Sequence, residues 1–215
     1  MESNLEKRIV SAVILAPLVL IIIYFGKIPY MAMILAAGIL MLREWAHLTA
    51  SSAHRAAWWL LGVIYIATPC YFLVWLREIP GIGLFVILLI ISVVWATDIG
   101  AYLFGRLIGG PKLAPKISPG KTWAGAIGGL FCGVIISQYL IYMAGGDSYS
   151  GMLYGAIISF TGQLGDLFES FIKRKFGVKD SGNVIPGHGG MLDRLDSLLF
   201  AAPAAAAIYS FLYLQ

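Results

Sequence analysis

Gly165–Ser197 reads GDLFESFIKRKFGVKDSGNVIPGHGGMLDRLDS. Five of the fifteen Lys and Arg residues and five of the eleven Asp and Glu residues fall in it, and the residues on either side are apolar for about a helix length. The whole chain of 215 residues is 60% hydrophobic and 12% charged, with mean hydropathy +0.85; a soluble domain is about one quarter charged. The stretch is therefore a polar connector between two spans of an integral membrane protein. Lipid admits only helices or closed barrels. Barrel strands alternate in polarity and these runs do not, so the fold expected is all-α and polytopic, with about seven transmembrane helices and no soluble domain.

Working outward, apolar runs cover about 9–25, 29–42, 56–76, 81–104, 122–144, 151–172 and 195–214. The first two are short for a bilayer that needs roughly 20 residues, which suggests a tilted or partly re-entrant hairpin. Residues 1–80 read as N-terminal spans and 81–215 as a catalytic core, within one transmembrane domain. MESNLEKR before the first run has no small-residue cleavage site after it, so the first span is read as uncleaved. With the N-terminus in the cytoplasm, thirteen basic residues lie on the cytoplasmic side and two, Lys27 and Arg77, on the other. The sequence pI of 9.1 thus reflects membrane topology rather than nucleic-acid binding. Cys70 and Cys132 sit in apolar runs and read as buried small hydrophobes. Trp45, Trp58, Trp59, Trp75 and Trp123 read as an interfacial belt. Gly125, Gly129 and Gly133, and Gly151 and Gly155, are four apart and read as close helix packing.

Two long cytoplasmic segments are rich in Gly, Pro and Lys: 105–121 (GRLIGGPKLAPKISPGK) and 173–194. Three acids lie within apolar spans, Asp98, Asp166 and Glu169, where charge is costly and usually functional. Asp98 shares a helix face with Tyr102 and Arg106; its bland reading is an acid paired with a helix partner. Asp166, Glu169, Ser170 and Lys173 fall at i, i+3, i+4 and i+7 and form one polar stripe. Asp193 and Asp196 are three apart at the next helix start, where a single Asp is most often a cap. Asp166, Asp193 and Asp196 together suit Mg²⁺, which takes a few carboxylates plus waters and phosphate oxygens. His188 stands between glycines that let the backbone approach a ligand. Lys173, Arg174 and Lys175 form a cluster that could equally touch anionic lipid. Ser118–Thr122 (SPGKT) is not a P-loop, since Pro115 stands where its first glycine would be, but Lys121 and the exposed N–H groups of a helix starting at Thr122 can hold a phosphate. The residues point to phosphoryl or nucleotidyl transfer onto a lipid. A lipid kinase, another nucleotide-dependent lipid transferase, and a cation-coupled transporter using Asp98, Asp166 and Glu169 remain open.

The connector resembles the phosphatidate cytidylyltransferases (CDP-diacylglycerol synthases). Their pattern S-x-aliphatic-K-R, four residues, K-D, a small residue, then P-x-H-G-G-x-x-D-R-x-D is matched by Ser170, Lys173–Arg174, Lys179–Asp180, Gly182, Pro186, His188–Gly189–Gly190, Asp193–Arg194 and Asp196. SPGKTWAG, GQLGDLFES and the Asp98 segment look like the family too. The resemblance implies that CTP and phosphatidic acid give CDP-diacylglycerol and pyrophosphate. It implies Mg²⁺, with a second cation such as K⁺ proposed for the family, on acids matching Asp166 and Asp193, with Asp196 direct or one shell out. The chemistry of the residues adds Lys173, Arg174 and Lys179 around the triphosphate or the lipid phosphate, with His188 and Arg194 as further binding candidates, Ser118, Lys121 and Thr122 closing the site, and Asp98 orienting a cation or the nucleotide. A homodimer in a bacterial inner membrane, with its site on the cytoplasmic face, completes that expectation.

Overall fold

The computed structural model describes residues 2–182, 184 and 189–213, with side chains described between residues 13 and 211 of these. Seven helices are present among them: α1 (Glu2–Phe25), α2 (Lys27–Leu48), α3 (Arg55–Arg77), α4 (Gly83–Leu107), α5 (Trp123–Met143), α6 (Ser148–Lys175) and α7 (Leu192–Tyr213). Between α4 and α5 lies a hairpin of β1 (Lys112–Ala114) and β2 (Ser118–Thr122). The fold is all-α apart from this hairpin. Helices α2, α3, α4 and α5 are each long and apolar enough to cross a membrane, and Val13–Phe25 adds a shorter apolar run.

The chain divides into two compact units. One comprises Met1–Ile87 with Lys173–Leu195. In it, α1 and α2 are separated by Gly26 alone, which takes φ +63°. Arg77 closes the α1 terminus: its Nε donates to the Ile23 carbonyl at 2.8 Å and its Nη2 to that of Tyr24 at 2.9 Å, satisfying carbonyls left open at a helix end. The positive φ is what calls for glycine at Gly26; a Cβ there would also fall 2.6 Å from Arg77 Nη2, which would have to shift. The two short apolar runs, from which a tilted or partly re-entrant hairpin was expected, lie within helices of 24 and 22 residues. The reason is that α2 runs past Leu42 through Arg43, Glu44 and Trp45. The last two are buried, at 4% and 1% exposure. Trp45 packs over Gly62 of α3 and its Nε1 donates to the Trp58 carbonyl at 2.8 Å. It is a core residue rather than a member of a belt, whereas Trp59 and Trp123 are exposed as a belt requires.

The other unit comprises Leu88–Ile172 with Asp196–Gln215. Its helices meet through the glycines expected to pack closely. A Cβ on Gly125 would lie 2.7 Å from the Ala101 carbonyl, and one on Gly129 2.7 Å from that of Thr97, both on α4. Gly151 and Gly155 approach the Cα atoms of Gln138 and Val134 on α5 as tightly. Such contacts let backbones approach in lipid, where packing rather than water drives association. At the centre, the Thr97 and Ser159 hydroxyls are hydrogen-bonded at 2.8 Å.

The 105–121 segment, expected as a loop, holds the antiparallel hairpin, with Lys112 opposite Thr122, Ala114 opposite Ser118, and an irregularity between the pairs. Pro119 and Gly120 are poor ladder residues, so no alternating pattern announces the strands. Thr122 ends β2 and N-caps α5, its hydroxyl accepting from the Gly125 N–H at 3.1 Å. The cap fixes where Lys121 leaves the hairpin.

Candidate active site

Within the second unit, a cavity of 520 Å³ is lined by Asp98, Tyr102, Arg106, Lys121, Gln163 and Asp166 among others. Asp98, Tyr102 and Arg106 share the α4 face expected of them. Arg106 donates to the Tyr102 hydroxyl at 2.8 Å. From α6, Asp166 pairs with Lys121 Nζ at 2.5 Å, and Ser170 Oγ donates to Asp166 Oδ1 at 3.4 Å, so part of the polar stripe is present as a stripe. Asp98 lies within electrostatic reach of Asp166 and Lys121. Asp196 lies within reach of Asp166 and Asp98 and shares a hydrogen bond with Glu169. Gly165 makes this possible: a Cβ there would stand 2.5 Å from the Asp196 carbonyl, so a larger residue would push α7 away from α6.

Three aspartates and a glutamate gathered this way repel one another unless protons or cations balance them, and every donor is a hard oxygen. Hard oxygens are the donor type that a divalent cation takes. Among the described residues, no three His, Cys, Asp or Glu side chains share a common ligand position. An ion held here would draw much of its shell from water and substrate oxygens, as Mg²⁺ commonly does.

Within the first unit, the connector is organised around two acids. Asp193, in the first turn of α7, accepts from Lys173 Nζ at 2.7 Å, from Gly190 N–H at 2.8 Å and from Ser181 N–H at 3.0 Å. The second acid is Glu44 of α2, which the sequence reading passed over. Its Oε1 accepts from the Met191 N–H at 2.8 Å, and its Oε2 from the Leu192 N–H at 2.9 Å and the Ser181 hydroxyl at 3.3 Å. The rule that singled out Asp98 would have found Glu44 had the second span not been ended at Leu42. Arg174 Nη1 donates to the Val178 carbonyl at 3.3 Å. Lys179 and Arg194 are exposed, and Ser118 begins β2. Lys175, read as a lipid contact, lies 4.9 Å from the ring centroid of Trp58, against which Phe176 also packs. His188 and Pro186 lie outside the described residues.

Residues 6–77 and 47–212 match the Cytidylyltransferase family. The chain belongs to this family. It is similar to a phosphatidate cytidylyltransferase of Rickettsia bellii (strain RML369-C), 43% identical over 211 residues, covering 94% of this chain and 89% of the relative. A phosphatidate cytidylyltransferase of Brucella suis biovar 1 is 35% identical, over 97% of this chain and 93% of its own. One from Staphylococcus aureus (strain COL) is 48% identical over 150 residues, 69% of this chain and 56% of the relative. Membership of a nucleotidyltransferase family displaces the transporter reading of Asp98, Asp166 and Glu169.

Proposed function

We propose that this chain transfers the cytidylyl group of CTP to phosphatidic acid, producing CDP-diacylglycerol and pyrophosphate for phospholipid synthesis. Family membership supports the reaction class, and the observation that carries the chemistry is the Lys121–Asp166 pair in a cavity that also holds Asp98. A phosphate monoester oxygen of the lipid attacks the α-phosphorus of CTP. The bond from that phosphorus to the β-phosphate bridging oxygen breaks, and pyrophosphate leaves with the electron pair. The attacking oxygen is already anionic near neutral pH, so no strong general base is required. The difficulty is bringing two polyanions together in line and stabilising charge on the leaving group.

Asp166 and Asp196 would hold Mg²⁺, which when bound supplies charge neutralisation at the phosphates. The resemblance adds Asp193 to that set and K⁺ as a second cation; Asp193→Asn decides its part by whether the Mg²⁺ requirement moves. Lys121 and the α5 N-terminus capped by Thr122 bind phosphate oxygens from the hairpin side, with Ser118 on the same strand. Lys173, Arg174, Lys179, His188 and Arg194 supply phosphate contacts from the connector. Asp98 orients a cation or the nucleotide. The lipid keeps its tails in the bilayer and enters between spans. The active form is a homodimer in a bacterial inner membrane, of seven spans, with both polar segments facing the cytoplasm.

The test is direct. The detergent-purified protein, given CTP, phosphatidic acid and Mg²⁺, forms CDP-diacylglycerol detectable by mass spectrometry. A folded preparation that forms none overturns the reading.

A further inference from the structure

Among the described residues of the first unit, Glu44 is a charged group almost wholly enclosed, at 4% exposure. It stands on α2, yet its partners are all on the connector, more than 130 residues away in sequence. The two carboxylate oxygens are used separately, Oε1 by the Met191 N–H and Oε2 by the Leu192 N–H and the Ser181 hydroxyl. These are N–H groups at the start of α7, which have no partner within the helix and favour a negative charge. The connector backbone is shaped around this carboxylate. A Cβ on Gly182 would meet Glu44 Oε1 at 2.8 Å, and one on Gly190 would meet Glu44 Oε2 at 2.7 Å and crowd Ser181 Oγ.

Ser181 and Gly190 have a second role. Their backbone N–H groups donate to Asp193, which in turn receives Lys173. The side chain that grips Ser181 and Met191–Leu192 therefore grips the frame that orients Asp193 and Lys173.

We propose that Glu44 is a positioning residue for cytidylyl transfer: from α2 it clamps the connector at two points, Ser181 and Met191–Leu192, and so holds Asp193 and Lys173 in working geometry. It touches no substrate and acts through the residues it holds. This inference rests on the functional reading above.

Glu44→Gln tests it. The amide keeps size and shape but has one acceptor oxygen, so an NH₂ group must face one of the two N–H donors. In the purified variant, kcat for CDP-diacylglycerol formation falls about 10- to 100-fold, the loss expected when reacting groups are displaced by around an ångström. KM for CTP changes by a smaller factor than kcat, because Glu44 itself makes no CTP contact. Amide hydrogen exchange at Met191 and Leu192 accelerates. So does exchange at Ser181, whose N–H bonds Asp193 and not Glu44, which reads transmission through the frame. If Glu44→Gln does not accumulate folded, Gly190→Ala presses on the same contacts and should give the same split between kcat and KM. Wild-type kcat in a folded Glu44→Gln variant, or a Ser181 amide exchanging at the wild-type rate, overturns the proposal. If the wild-type protein makes no CDP-diacylglycerol, the functional reading is what fails, and the exchange measurements still decide whether Glu44 holds the frame.

Discussion

Lys173 Nζ stands 2.7 Å from Asp193 Oδ1, with 13% of the lysine side chain and 8% of the aspartate side chain exposed. A pair so enclosed is costly to break from one side, because the remaining charge keeps its burial and loses its partner. Lys173→Met should destabilise the folded protein, by less than the roughly 3–5 kcal/mol of a wholly uncompensated buried charge, since Asp193 keeps the Gly190 and Ser181 N–H groups. The double variant Lys173→Met with Asp193→Asn should be less destabilised than Lys173→Met alone. Thermal unfolding in detergent measures both, and equal losses would show that the ion pair is not a coupled unit.

The Lys121–Asp166 pair joins the hairpin to α6 inside the cavity. Asp166→Asn should lower kcat by about 10²- to 10³-fold, the usual scale for losing an electrostatic group aimed at developing charge. It should also raise the Mg²⁺ concentration giving half-maximal rate. Lys121→Met should act chiefly on KM for CTP. Steady-state rates across CTP and Mg²⁺ concentrations separate the two, and an Asp166→Asn enzyme with an unchanged Mg²⁺ profile would remove Asp166 from the cation site.

Close approach of α4 and α5 depends on absent side chains. Gly129→Val would drive branched methyls into the Thr97 carbonyl and Ala101 and should cost about 1–3 kcal/mol by overpacking. Gly120→Ala meets nothing within 4 Å, so it should leave the thermal midpoint unchanged. Similar midpoints for both variants would contradict the packing described.

Asp147 sits just before α6, accepting the Ser150 N–H at 2.8 Å and the Ser150 hydroxyl at 2.6 Å. The Ser150 hydroxyl and then its N–H hold the Asp147 carboxyl below its ordinary range. A depressed folded value means that the cap contributes fully above the unfolded carboxyl value of about 3.9 and is lost as pH falls through the lower folded value. Carbon NMR of the Asp147 carboxyl in micelles should give a midpoint below about 3.9, and exchange of the Ser150 amide should speed up only below that midpoint. A midpoint at or above the unfolded value would rule out the cap.

Much of this was legible in residue order. Apolar run lengths place α3 to α7 within a few residues, because burial in lipid leaves hydropathy as the dominant signal. The i, i+3, i+4 spacing of Asp166, Glu169 and Ser170 puts them on one helix as found. The four-residue glycine spacing foretells which faces meet. The hairpin was not legible, because SPGKT carries turn chemistry and its strand pairing is short and irregular. Nor was Glu44. In LMLREWAHL an acid beside Arg43 looks like a solvated helix end, and two of its partners, the Met191 and Leu192 N–H groups, are backbone and leave no trace in side-chain sequence. The Lys121–Asp166 contact is likewise a product of tertiary packing. The Thr122 cap and the glycines of α5 bring it about, and no local spacing encodes it.

The central claim is that the group transferred to lipid is a cytidylyl group. The most direct measurement gives the purified protein phosphatidic acid and Mg²⁺ with CTP labelled either on the α-phosphate or on the γ-phosphate, and follows the label into lipid extract and released pyrophosphate. The account predicts α-label in the lipid fraction as CDP-diacylglycerol and γ-label only in pyrophosphate. Label from the γ-phosphate in the lipid would mark a kinase and contradict it, as would a folded enzyme that moves neither label into lipid.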